Sequence, residues 1–157
     1  MSDDSTDSVR PMRVADHPFF RGLDEDFVQL ATSRATDHSF KAGDIIIQEG
    51  KIAHEFWLIF QGKVALEIAS PGQPLLTIQT LGPGEALGWS WLSPPYRWRF
   101  DARAVTATRA LAISAKALRD AFEAEPEIGY RVLMRLLPVI GERRENTRGQ
   151  IVDLHVA

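Results

Sequence analysis

The spacing of glycine through the middle of the chain constrains the fold more than any other feature of the sequence. Seven of the 11 glycines fall in this stretch, at positions 43, 50, 62, 72, 82, 84 and 88. They separate short runs with the composition of β-strands: Asp44–Gln48, Glu55–Phe60, Lys63–Ala69, Leu75–Leu81, Arg99–Val105 and Leu111–Ile113. Many short strands at about 8–12-residue spacing are typical of a barrel or jelly roll. We therefore predict a mainly β fold built on a jelly-roll β-barrel (double-stranded β-helix).

Helical patterns flank the predicted strands on both sides. Asp24 is a suitable N-cap for a first helix that ends at about Ala35, and Ser114 is a suitable N-cap for a helix over Ala115–Ala124. The start of the chain is rich in Ser, Asp and Thr without periodicity, which is typical of a disordered tail. The predicted divisions are a tail at 1–15, a barrel unit with its helices at 16–124 and a C-terminal dimerisation helix at 125–157.

The last helix is predicted to begin at Pro126 and to extend to about His155. Pro138 lies inside it and removes one backbone hydrogen bond, so we expect a kink or break near Leu136–Leu137. A 4-3 spacing runs along the helix and predicts a seam for a partner helix, and hence a homodimer. The seam positions are Leu133, Leu137, Ile140, Arg144, Thr147, Ile151 and Leu154.

Composition and charge narrow the class of protein. The 157 residues, 45% hydrophobic and 25% charged, are typical of one soluble domain that buries its own core. A net charge of -3 disfavours a general nucleic-acid binder. The absence of cysteine excludes disulfides and fits a reducing cytoplasm. No apolar run approaches the roughly 20 residues that span a bilayer, and the acidic N-terminus is unlike a secretory signal. We therefore predict a cytoplasmic protein without a membrane span.

Sequence patterns of catalysis are missing. A cupin-type metalloenzyme needs clustered His and carboxylate ligands on neighbouring strands, whereas the four histidines are far apart, at positions 17, 38, 54 and 155. Neither a nucleophile elbow nor a Walker-type loop occurs. We expect no catalytic residue, no metal site and no enzymatic activity, and the cupin-like metalloenzyme is the least favoured alternative.

Four sequence blocks between about Pro18 and Ile140 resemble the cyclic-nucleotide-binding domain family, which includes the catabolite-activator-type sensors. The blocks are Phe40–Gly50, Phe56–Val64, Leu81–Gly88, and Asp101–Ala104 followed by Leu111–Ile113. The glycines lie where strands reverse, so we expect positive φ angles there. The resemblance implies a phosphate-binding cassette after Gly88, in which a short helix receives the cyclic phosphate on its backbone N–H groups. It also implies a glutamate for the ribose, an arginine for the phosphate, and a long helix that closes over the base and forms the dimer.

The cassette of this chain departs from that pattern at both charged positions. Gly88 is present, but Trp89 occupies the position of the glutamate. An ungapped count back from Ala104 places Trp98 at the position of the arginine. Strand alternation puts Trp98, Phe100, Ala102 and Ala104 on one face and Arg97 and Arg99 on the other. The candidate ligand-binding residues are Leu87, Gly88, Trp89, Ser90, Arg97, Trp98, Arg99 and Phe100.

The loss of both charges changes what the cassette is expected to bind. A cyclic nucleotide carries a negative phosphate, and an unpaired buried charge costs far more than a neutral hydrogen bond contributes. We therefore expect binding of cAMP or cGMP, the candidate ligands, to be weak or lost. The alternative is that Arg97 or Arg99 turns inward and meets the phosphate with Ser90 and the backbone amides. The aromatic cluster completed by Trp91 and Tyr96 either packs as core or lines a ligand pocket.

These features predict a non-catalytic regulatory or sensory module that acts through a small-molecule ligand or a protein partner. The alternative is a ligand-free dimeric scaffold for protein interactions. Transcription regulators of the family append a helix-turn-helix module after the long helix, whereas this sequence stops there, so we expect no direct DNA binding.

Overall fold

The computed structural model describes the backbone of residues 11–151 and the side chains of residues 11–138. Within this part of the chain the helices are α1 Glu25–Ser33, α2 Ala115–Ala124 and α3 Pro126–Ile151. The strands are β1 Ala35–Phe40, β2 Ile45–Ile47, β3 Glu55–Gln61, β4 Val64–Ile68, β5 Leu76–Leu81, β6 Ala86–Leu87, β7 Asp101–Ala104 and β8 Thr108–Ser114.

The described strands form two antiparallel four-stranded sheets. Their orders are β1-β8-β3-β6 and β2-β7-β4-β5. The jelly-roll prediction is confirmed, but the two sheets are not closed into one barrel. Between these strands the chain changes sheet at every connection except that of β4 to β5, and the cassette lies in the longest of these connections, between β6 and β7.

The sequence prediction missed the strands β1 and β6. It carried the first helix to Ala35, whereas α1 ends at Ser33 and Ala35–Phe40 pairs residue for residue with β8. The pairing partner lies more than 60 residues later, so a local pattern could not reveal it. β6 contains only two residues, which is too short for a recognisable alternation.

The predicted capping residues are confirmed at both helices that they were expected to start. The carboxylate of Asp24 accepts a hydrogen bond from the N–H of Phe27 (3.1 Å), and the hydroxyl of Ser114 accepts one from the N–H of Ala117 (3.2 Å). These caps satisfy donors that the first helical turn leaves without an intrahelical partner. Of the seven glycines expected at positive φ, six have it, and Gly82 is the exception.

The helix α3 is continuous through Pro138, so of the predicted kink or break near Leu136–Leu137 the break is excluded and the kink stays a prediction. Pro138 cannot donate a backbone hydrogen bond, yet the chain remains helical to Ile151. Val132 and Leu136, 2% and 0% exposed, fix the first part of the helix to the core. The predicted seam side chains beyond Leu137 lie outside the described residues.

Order at the N-terminal end begins earlier than the sequence indicated. Residues 1–10 of the predicted tail lie outside the described residues, but Val14–Asp16 forms a short 3-10 turn and Val14 is 1% exposed. The predicted tail of residues 1–15 thus overlaps a segment that packs on the core. The apolar contact of Val14 provides the burial that the polar composition of the segment did not suggest.

His17 ties this N-terminal segment to the sheet. Its Nε2 donates to the carbonyl oxygen of Ile59 (3.1 Å), and its Nδ1 accepts from the N–H of Phe19 (3.2 Å). Both ring nitrogens are thus satisfied in the neutral form. Burial lowers the pKa of His17 from 6.5 to about 4.

Protonation of His17 should weaken the fold in acid. Because the folded pKa is depressed, its contribution is fully present above pH 6.5 and is lost as the pH falls towards 4. The expected loss is up to about 3 kcal/mol of unfolding free energy. Urea unfolding of wild type and His17→Asn between these pH values measures it. The exposed His54→Asn variant is the control, and an equal pH dependence in all three proteins would contradict the assignment.

Candidate ligand-binding cassette

The cassette starts from the short pairing of β6 with β3. Leu87 lies opposite Trp57, and Ala86 lies opposite Leu58. Gly88 follows with a φ of 64°, in the left-handed region where a glycine has no side-chain penalty. The chain therefore leaves the sheet sharply at the residue that the sequence identified as the landmark of the cassette.

Turns, and no helix, follow Gly88 within the described cassette. The N–H of Leu92 donates to the carbonyl oxygen of Trp89 (2.9 Å), and the N–H of Tyr96 donates to that of Ser93 (2.9 Å). The short helix implied by the family resemblance is therefore not formed here. The described loop therefore lacks the helix start that is the usual anion site.

Trp91 is the residue that fixes the loop to the core. Its side chain is 0% exposed, and its ring stacks on Phe56 with centroids 4.6 Å apart. Its Nε1 also donates to the carbonyl oxygen of Gly88 (3.3 Å), and Phe122 of α2 lies 6.3 Å from the ring. Of the two interpretations of the aromatic cluster, core packing is therefore the one that holds for Trp91.

Arg119 of α2 attaches the other side of the loop. Its Nη1 donates to the carbonyl oxygen of Trp91 (2.6 Å), and its guanidinium lies 4.3 Å from the ring centroid of Tyr96. A guanidinium above an aromatic face is a favourable cation–π contact. Sequence reasoning did not identify Arg119, because its separation from the cassette gives no local signal.

The predicted alternation between residues 97 and 104 is confirmed. Trp98, Phe100, Ala102 and Ala104 are 5%, 8%, 0% and 0% exposed, whereas Arg97 and Arg99 are exposed. Backbone hydrogen bonds hold the segment before β7. The backbone N–H of Trp98 donates to the carbonyl oxygen of Lys51 (2.9 Å), and the carbonyl oxygen of Trp98 accepts from the N–H of Gly50 (2.8 Å). Trp98 is thus fixed with its indole in the core.

The arginines of the cassette do not supply a buried cation. The Nη1 of Arg97 donates to the carbonyl oxygen of Gly50 (2.8 Å) on the exposed side of the segment. Among the described residues, the buried polar side chains are His17, Glu67 and Thr108. Glu67 is paired with Arg103 through two hydrogen bonds of 3.1 and 2.7 Å, which raise the pKa of Arg103 above its ordinary value. The described core therefore contains one buried carboxylate and no buried arginine or lysine.

The structure brings some of the predicted site residues together and separates others. Leu87 and Gly88 are buried at the end of β6, and Trp89 and Ser90 are partly buried in the following turn. Trp98 and Phe100 pack together with ring centroids 5.8 Å apart. Arg97 and Arg99 point away from this set.

The chain is similar to known proteins both in sequence and in structure. The family model of the cyclic nucleotide-binding domain matches residues 37–125, and the chain belongs to that family. A cyclic nucleotide-binding protein of Geobacter metallireducens has a similar structure, with 25% identity, a TM-score of 0.75 and coverage of 86% of this chain and 98% of that one. Two independent comparisons, of sequence pattern and of structure, thus agree.

Two further solved structures are similar. A cyclic nucleotide-binding domain from Methylobacillus flagellatus has a TM-score of 0.74 at 19% identity, over 99% of this chain and 87% of that one. The catabolite activator protein of Thermus thermophilus has a TM-score of 0.66 at 26% identity, over 87% of this chain and 62% of that one. The fold and its relatives are those of regulatory and sensory modules.

No curated protein matches the chain. Within residues 11–151 there is no helix of the length and apolarity that a membrane crossing requires. Among the side chains of residues 11–138, no three His, Asp or Glu residues are grouped so that they could hold a metal ion.

Proposed function

We propose that this protein is a non-catalytic, cytoplasmic regulatory module in which conventional binding of cAMP or cGMP is weak or lost, and which forms a homodimer through α3. The weak or lost nucleotide binding, which is the nucleotide part of the proposal, is inferred from the burial of Trp98 where the family resemblance implies a phosphate-binding arginine. The described core offers no cation to a phosphate, and an anion buried without a partner costs several kcal/mol. Trp89, at the position of the ribose glutamate, removes the second polar contact.

Calorimetric titration of the purified protein with cAMP and with cGMP tests the nucleotide part. We expect no measurable heat and no thermal shift at roughly millimolar nucleotide, because binding weaker than this corresponds to less than about 4 kcal/mol of affinity. A saturable heat with a shift of the melting temperature for either nucleotide would overturn the proposal. In that outcome, Arg97→Gln and Arg99→Gln identify which guanidinium has turned inward.

The converse variant, Trp89→Glu with Trp98→Arg, should gain affinity for cAMP. Without ligand it should unfold about 2–4 kcal/mol more easily, because the introduced guanidinium is buried without a partner. Millimolar cAMP should restore part of that stability by mass action. Thermal unfolding with and without cAMP measures both effects. Trp89→Gln with Trp98→Met, which removes the indoles without adding charge, should show no response to cAMP.

The dimer part is supported by an exposed apolar stripe on α3. Tyr130, Leu133 and Leu137 are 63%, 43% and 48% exposed, and Leu133 and Leu137 are predicted seam positions. Leu133→Asp with Leu137→Asp should weaken self-association about a hundredfold or more, because it places charges in an apolar contact. Light scattering after size exclusion measures the mass. Leu75→Asp, at an equally exposed leucine outside α3, should leave the mass unchanged. A wild-type monomer would contradict this part.

A ligand-free scaffold for protein interactions is the second candidate function. The same exposed stripe favours it, together with the contacts by which Trp91 and Arg119 attach the cassette to the core. Both candidates predict that the wild type does not bind cAMP or cGMP, so saturable binding in the titration described above would contradict both. The scaffold differs from the regulatory module in needing no small-molecule ligand, so saturable binding of another small molecule to the wild type would exclude the scaffold alone.

A further inference from the structure

A half-open cavity of about 480 Å³ lies between the body of the protein and the middle of α3. Its walls include Pro18, Phe19, Leu81 and Ala86 from the body and Met134 and Pro138 from α3. Cavities of about 300–1,000 Å³ with mostly apolar walls are the usual sites of small ligands. The size and composition of this cavity therefore suit a small apolar molecule.

This cavity is separate from the cassette. Ala86 lines it, and side chains of successive residues in a strand point to opposite faces of the sheet. Leu87, which pairs with Trp57 at the start of the cassette, therefore faces the other way. The described wall of the cavity contains no residue between 88 and 100. A ligand here would not depend on the missing charges of the cassette.

Arg135 supplies a cation to the cavity wall. It is partly buried, and its Nη1 donates to the carbonyl oxygen of Phe19 (2.9 Å). In the part of the chain that the structure describes, Arg135 forms no ion pair. A partly buried guanidinium with spare donors binds a carboxylate well, because the two groups form short charge-assisted hydrogen bonds.

Glu85 is the other charged residue of the wall, and it limits the charge of the ligand. Its Oε2 accepts from the N–H of Gly82 (2.7 Å), and its side chain is exposed, so water screens its charge. It would repel a ligand with several negative charges more strongly than one with a single charge. The combination favours a molecule with one anionic end.

We propose that this cavity binds a small molecule with an apolar body and a single terminal carboxylate, with the carboxylate at Arg135 and the apolar body between the wall and α3. Such a ligand would contact the body of the protein at Phe19 and α3 at Arg135, and so would strengthen the packing of α3 on the body. This site is independent of cyclic nucleotide binding, so its failure and the failure of the proposed function are separate results.

Calorimetry with octanoate and with neutral octanamide tests the proposal on the intact chain. We expect octanoate to bind at roughly millimolar concentration or below, and octanamide to bind about tenfold more weakly, since it lacks the charge-assisted contact. Thermal unfolding should show a rise in melting temperature with octanoate. The absence of saturable heat with octanoate, or equal affinity for the two compounds, would overturn the proposal.

Two variants locate the binding. Arg135→Gln should reduce octanoate affinity about tenfold and leave octanamide affinity unchanged. Met134→Trp, at a position 47% exposed, should fill the cavity and weaken both compounds. Arg131→Gln removes an exposed arginine one turn earlier on α3 and should change neither. If Arg135→Gln does not fold, Met134→Trp decides, and octanoate binding unaffected by Met134→Trp would place the ligand elsewhere.

Discussion

Gly62→Ala is expected to lower the unfolding free energy by about 4 kcal/mol or more, a large part of the stability of a domain this size. Gly62 turns the chain between β3 and β4 with a φ of 92°. A Cβ there would overlap the carbonyl oxygen of Ala107 and lie 2.8 Å from the Cα of Thr108. Two costs therefore add, the strained backbone and the collision with backbone atoms that the β7–β8 turn holds in place.

The β7–β8 turn cannot easily move away, because it is hydrogen-bonded to the turn at Gly62. The N–H of Val105 donates to the carbonyl oxygen of Lys63 (2.8 Å), and the N–H of Lys63 donates to the hydroxyl of Thr106 (3.0 Å). Relief of the collision would break these contacts. Gly43→Ala is the matched control, because Gly43 has a φ of 96° but nothing within 4 Å of an added Cβ.

Urea unfolding of the two variants separates strain from collision. Gly43→Ala should cost about 1–2 kcal/mol, the penalty of a left-handed residue alone. The excess at Gly62 measures the collision. Equal losses in the two variants would show that the two turns do not pack as described.

Trp91→Ala should cost about 3–5 kcal/mol of unfolding free energy, the range for removal of a buried large aromatic side chain. The side chain is fully buried against Phe56, and the cavity that it would leave is lined by rigid core residues. Trp89→Ala is the control within the same loop, since Trp89 is partly exposed, and it should cost less than about 2 kcal/mol.

Hydrogen exchange gives a second measure of the role of Trp91. The amide of Leu92, bonded to the carbonyl of Trp89, and the amide of Tyr96, bonded to that of Ser93, report on the cassette. They should exchange much faster in Trp91→Ala than in Trp89→Ala, because the loop loses its attachment to the core. A larger loss of stability in Trp89→Ala would mean that the roles of the two indoles are reversed.

Local periodicity was sufficient where one face of an element is buried. The alternation across residues 97–104 predicted the faces of Trp98 and of the flanking arginines, because successive side chains of an extended segment point to opposite faces whatever its partner. The caps at Asp24 and Ser114 were predictable for a similar reason, since a cap bonds to an N–H only three residues later.

Contacts between distant segments were not predictable in this way. The sequence Ala35–Phe40 contains Asp, His and Ser and is a strand because it pairs with β8. The attachment of the cassette by Arg119 joins residues 28 positions apart. The cavity beneath α3 joins Pro18 to Pro138 and has no signature in either segment.

The sequence by itself determined that the cassette keeps Gly88 and replaces its two expected charges by Trp89 and Trp98, and, through period-two alternation, which face Trp98 occupies. Only the tertiary structure decided what the substituted loop does. The fold places the two tryptophans of the loop in different environments, so that Trp91 is a core residue and Trp89 remains partly exposed. The physical reason is that burial depends on partners such as Phe56 and Arg119, which the fold brings to the loop from 35 residues before and 28 residues after Trp91.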